Sequence, residues 1–171
     1  MDGVMQAHQE PHQVARPHLR KPGRPLVFLS YCVCDTGNKR GGDSTAYKVK
    51  AALEDDGFNV FMDCNLEGGD DWNAVINDNV QNADAMIALS SKHFAQLRPP
   101  GMALAGTSWT MQEVRAFMKT KPTMLFPVLH SGSWPPRTLF LDCNHIEEVK
   151  LSMGFEPAMA RLVASLRSKL W

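Results

Sequence analysis

The sequence predicts a three-layer α/β domain, a central parallel sheet of about five strands with helices on both faces. From Leu26 onward, short apolar runs alternate with amphipathic stretches, the pattern that feeds parallel strands through crossover helices. The first run, from Leu26 to Tyr31, is apolar almost without interruption, which suits a strand covered on both faces. The chain has 171 residues, of which 44% are hydrophobic and 21% charged, enough for one core with little room for a second domain.

Residues 1–24 carry Pro11, Pro17 and Pro22, three of the six histidines, and Arg16, Arg20, Lys21 and Arg24, with no apolar periodicity. They read as a disordered leader, lacking the apolar stretch of a secretory signal, and residues 25–171 read as the domain. After the first strand and a glycine-rich polar loop, Asp43 or Ser44 can cap a helix running to Asp56. Its inward face holds Tyr47, Val49, Ala52 and Leu53, and Gly57 stops it. A second strand follows at residues 59–63. Asp70 or Asp71 caps the next helix, in which Trp72, Val75, Ile76 and Val80 recur at helical spacing before a third strand at residues 85–90.

Pro99, Pro100 and Gly101 break any helix that starts near Lys92. Ser108 can cap a helix over residues 109–119, and a fourth strand over 123–129 contains Pro127, which points to a strand end or edge. Residues 143–149 supply the fifth strand of a flavodoxin-like order. A closing helix over 156–170 places Met159, Leu162, Val163, Leu166 and Leu170 on one face.

With 18 basic and 18 acidic residues the formal net charge is zero, which argues against nucleic acid as the main partner. The longest apolar runs fall far below the roughly 18 to 20 residues that cross a bilayer. Cys32, Cys34, Cys64 and Cys143 lack the spacing of a zinc site or a disulfide scaffold, and read as reduced thiols of a cytoplasmic protein with no bound metal.

In an open parallel sheet, ligands bind beyond the carboxyl ends of the strands, so the loops after Tyr31, Asp63, Ser90 and Leu129 should line a site. The first combines glycines with Lys39 and Arg40 ahead of a helix start, which can hold phosphate or be a solvated loop. It has neither the Walker nor the Gly-x-Gly-x-x-Gly pattern. The second holds Asp63, Glu67 and the pair Gly68 and Gly69, a flexible point suited to a movable flap, while Asp70 and Asp71 suit the helix N-terminus. Trp109 and Glu113 are four residues apart, so indole and carboxylate share one helical face. Taken alone, such a pair is usually a packing tryptophan and a solvated glutamate.

Taken in order, five segments resemble the TIR (Toll/interleukin-1 receptor) domain family: Val27 to Tyr31, Gly57 to Asp63, Ala83 to Ser91, Ser108 to Val114 with its Trp-x-x-x-Glu, and Phe126-Pro127-Val128. The pattern is closest to the NAD-cleaving TIR enzymes. That resemblance implies an NAD hydrolase or nucleosidase yielding nicotinamide and ADP-ribose or a cyclic ADP-ribose isomer, acting in immune or cell-death signalling with NAD as substrate and no cofactor. Glu113 would be catalytic, Trp109 would offer an aromatic face to a base, Tyr31 would border the pocket, and Asp63 and Glu67 would belong to the flexible loop. Cys32 stands where the family often has arginine, and Lys39 or Arg40 would take over that charge. The resemblance also implies self-association, with a site built between two copies. Two other readings remain open: a non-catalytic TIR module that recruits other TIR domains, and a flavodoxin-like nucleoside deoxyribosyltransferase using one glutamate.

Overall fold

The computed structural model describes residues 20–32, 44–62, 71–91, 94, 108–131 and 149–171. Five strands, β1 (Leu26–Tyr31), β2 (Asn59–Phe61), β3 (Ala85–Ser90), β4 (Leu125–Leu129) and β5 (Val149–Lys150), form one sheet in the order β2-β1-β3-β4-β5. Every pairing is parallel. Four helices connect or close it: α1 (Thr45–Asp55), α2 (Trp72–Asn82), α3 (Trp109–Met118) and α4 (Phe155–Leu170). This is the flavodoxin-like order expected from the alternation of elements.

The period-2 geometry of a strand sends neighbouring side chains to opposite faces, and here both faces are apolar. Val27 and Leu29 of β1 join Val49 and Leu53 of α1 and Leu162 and Leu166 of α4 in one cluster. Leu26 and Phe28 join Val75 and Val80 of α2 and Val114 and Phe117 of α3 in the other. The near-continuous apolar composition of β1 is thereby explained, since both of its faces are covered.

The starts of α1, α2 and α3 follow the side-chain chemistry closely. Of the two candidates in each case, Ser44 caps α1 by accepting from the Tyr47 N–H, and Asp71 caps α2 by accepting from the N–H groups of Asn73 and Ala74. Ser108 caps α3 through the Met111 N–H. After α1 the chain turns at Gly57 with φ of 95°, a left-handed conformation that favours glycine. Ahead of β1, the Asn59 side chain accepts from the Lys21 N–H and donates to the carbonyls of Lys21 and Arg24. Residues 21–24, expected to be part of the leader, are therefore held against β2.

Several boundaries differ from expectation. The fourth strand begins at Leu125 rather than 123, because Pro122–Met124 form a 3-10 turn closed by the Met124 N–H donating to the Lys121 carbonyl. Pro127 does not mark an edge: β4 lies between β3 and β5, with Pro127 opposite Ala88. It is tolerated because the described ladder to β5 meets β4 only at Val128 and Leu129 and has no partner opposite Pro127. Strand two ends at Phe61, short of the expected 63. The fifth strand is Val149–Lys150, at the far end of the expected range, and residues 143–148 lie outside the described residues. The break expected from Pro99, Pro100 and Gly101 also lies outside them.

Helix α4 buries Met159, Leu162, Val163 and Leu166, as its periodicity predicts. Leu162 is fully buried against the sheet. Truncating it to alanine removes apolar contacts and leaves a cavity, so Leu162→Ala should lower unfolding free energy by about 2–5 kcal/mol in urea denaturation. A loss under about 1 kcal/mol would show that α4 does not close this core.

Candidate active site at the carboxyl edge of the sheet

Crossovers leave β1 and β3 on opposite faces. From β1 the chain passes to α1, which packs with α4, whereas from β3 it passes to α3, which packs with α2 on the other face. Because β1 and β3 are neighbours, their carboxyl ends flank the switch point, where an open α/β sheet generally forms its ligand crevice.

Helix α3 enters this crevice from a firmly held start. The hydroxyls of Ser108 and Thr110 lie 3.0 Å apart, and both reach the carbonyl of Phe94. Ser108, Thr110 and Phe94 are all buried. Along the helix, Val114 and Phe117 point into the core, and Glu113 lies in the row that joins Thr110 to Phe117. That row aims the carboxylate toward the sheet rather than into solvent.

There it meets β1. The Ser30 hydroxyl donates to Oε2 of Glu113 at 2.6 Å. Ser30 is 1% exposed and alternates with Phe28, so it faces the α2–α3 side. Its register partner is Ala88, near the carboxyl ends of both strands. Glu113 is half-buried, not the solvated glutamate that its spacing from Trp109 alone would most often give.

The expected site residues divide into three groups. Glu113 and Trp109 share α3, with Trp109 half-buried one turn nearer the helix start. Tyr31 follows Ser30 but packs against the cluster beneath α1 and α4, on the other face of the sheet, and half-buried Cys32 comes next. Lys39, Arg40, Asp63 and Glu67 lie outside the described residues. Sequence reasoning passed over Ser30. Its signal was a small hydroxyl inside an apolar strand, which when buried requires a hydrogen-bond partner.

A second concavity of about 930 Å³ runs between α1 and α4, with Lys48, Asp55, His130, Phe155 and Met159 among its lining residues. It is a furrow between helices on the sheet face away from Glu113. Among the described residues no group of three or more His, Cys, Asp or Glu is placed to hold a metal ion. No described helix is long and apolar enough to cross a membrane.

A family model for the TIR domain matches residues 27–163, from β1 into α4. The chain belongs to the TIR domain family. Ser30, Trp109 and Glu113 all fall inside the matched span. No match is found among curated proteins. As a TIR domain the chain is a signalling module of a family whose members generally self-associate, and which includes both NAD-cleaving enzymes and non-catalytic members.

The start of α3 carries a specific prediction. Ser108→Ala removes the cap and one hydroxyl of the Phe94 network, and should cost about 1–2 kcal/mol in chemical denaturation. Unchanged stability would mean that α3 is positioned by packing alone.

Proposed function

We propose that this TIR domain cleaves the nicotinamide–ribose bond of NAD, with Glu113 as the catalytic carboxylate. The observation that carries the proposal is the half-buried Glu113 side chain, held by Ser30 beside the switch between β1 and β3.

The reaction suits a site with one essential carboxylate. Nicotinamide in NAD is already cationic, so it departs as a neutral molecule and needs no general acid. The C1′–N bond breaks with its electron pair going to the pyridine nitrogen, which leaves an oxocarbenium-like ribosyl centre. A carboxylate beside that centre stabilises it electrostatically or traps it briefly, as in glycoside hydrolysis. Water then adds and loses a proton to give ADP-ribose, or the adenine of the same molecule attacks to give a cyclic isomer. No metal or further cofactor is needed.

In this reading Trp109 lends its aromatic face to a base, Tyr31 borders the carboxyl edge, and Lys39 or Arg40 meets the phosphates. Asp63 and Glu67 belong to the loop that covers the pocket, in our reading that of a neighbouring copy. The site then completes itself on assembly, within the cytoplasm, as part of immune or cell-death signalling. A second reading also has an observation behind it: the same hydrogen bond ties α3 to β1, which would serve a non-catalytic recruiting module as well.

Glu113→Gln separates the two. Glutamine keeps the size of the side chain and an acceptor for Ser30 but loses the charge. It should cut nicotinamide release by at least about a hundredfold while the melting temperature stays close to that of the wild type. Release at the wild-type rate would remove Glu113 from the chemistry, and no release from concentrated wild-type protein would leave the recruiting module. Specific activity should also rise with protein concentration if a neighbour completes the pocket, and a flat dependence would place the whole site within one copy.

A further inference from the structure

Glu113 reaches the crevice on a long side chain, and the family motif that contains it says nothing of what it leans on. We infer that Ser30 is the positioning residue for the Glu113 carboxylate, an inference that rests on the NAD-cleaving reading above. Ser30 sits in β1, the strand flanked by β2 and β3, and is 1% exposed. Its hydroxyl hangs on a single torsion from this central backbone, so the donor has little freedom. The 2.6 Å separation to Oε2 is that of a close O–H···O hydrogen bond.

A glutamate side chain has three torsions and, on a helix alone, would sample several rotamers. Two anchors remove that freedom here. The start of α3 is tied to the Phe94 carbonyl through Ser108 and Thr110, and the far end of the Glu113 side chain is tied to Ser30. Holding one carboxylate oxygen restrains the last torsion of the side chain, and so the place at which it meets charge developing at the anomeric carbon. Electrostatic stabilisation of that kind depends on groups oriented before the bond breaks.

Stability alone gives little reason for the pair. A polar contact set into an apolar layer is often matched by an apolar pair of the same shape. A hydroxyl at this place in an otherwise apolar strand is better explained by what it does to Glu113.

The test uses the full chain and initial rates of nicotinamide release over a range of NAD concentrations, for wild type, Ser30→Ala, Ser30→Thr and Ser30→Val. Threonine and valine share a shape and differ by the hydroxyl, so their comparison holds even if packing at this buried position suffers. In Ser30→Ala, kcat should fall about tenfold to a hundredfold, as expected when a reacting group is misplaced by about 1 Å. KM should stay within about threefold, because the interaction matters in the transition state and not in binding. Ser30→Thr should exceed Ser30→Val in kcat by at least about tenfold at similar melting temperatures. Equal kcat for the threonine and valine variants, or an undiminished alanine variant, overturns the inference while leaving Glu113 as the catalyst. Absence of nicotinamide release from the wild type removes the NAD-cleaving reading, and this inference with it.

Discussion

A carboxylate on the sheet-facing side of a helix cannot be left without a donor, because a charge withdrawn from water costs several kcal/mol unless it is hydrogen-bonded. In this domain one donor is a serine in an apolar strand. The contact between Ser30 and Glu113 joins elements 83 positions apart in the chain, and it fixes where α3 lies over β1. The geometry of the crevice follows from it. With Val114 and Phe117 packed into the core on the same helix, α3 can neither rotate nor slide without breaking either the apolar contacts or the polar one.

Sheet topology explains why this contact stands beside the switch point of the sheet rather than at an arbitrary place. The reversal of crossover direction between β1 and β3 puts the switch point at their carboxyl ends, and the last residues of β1 stand beside it. Ser30 faces one side of the sheet and Tyr31 the other, so consecutive residues serve different layers. The groove between α1 and α4 has a different origin, the furrow that remains where two helices pack on a sheet.

Much of this was legible in the sequence where the information is local. The caps Ser44, Asp71 and Ser108 stand beside the helices they start, and the apolar runs of β1 and β3 mark their strands without outside help. Legibility failed where partners are remote. Pro127 reads as an edge or end residue, yet β4 is internal, and the described ladder to β5 has no partner opposite Pro127. The onset of β4 comes later than the sequence suggests, because Thr123 and Met124 look strand-like while the turn led by Pro122 claims them. Glu113 was singled out by spacing and by family resemblance, but its burial came from tertiary packing. Ser30 was invisible as a site residue, since nothing near it in the sequence indicates an acceptor on α3. Lys39, Arg40, Asp63 and Glu67 lie outside the described residues.

The central claim is that the Glu113 carboxylate marks where the scissile bond of NAD is placed. A crystal structure of the Glu113→Gln variant grown with NAD tests it most directly, because the variant keeps the shape of the site and is expected to leave the substrate uncleaved. The account predicts that the anomeric carbon of the nicotinamide ribose lies within about 3.5 Å of the residue 113 side chain, the reach of a near-attack arrangement. NAD bound instead in the groove between α1 and α4, or bound with its nicotinamide ribose remote from residue 113, would contradict it.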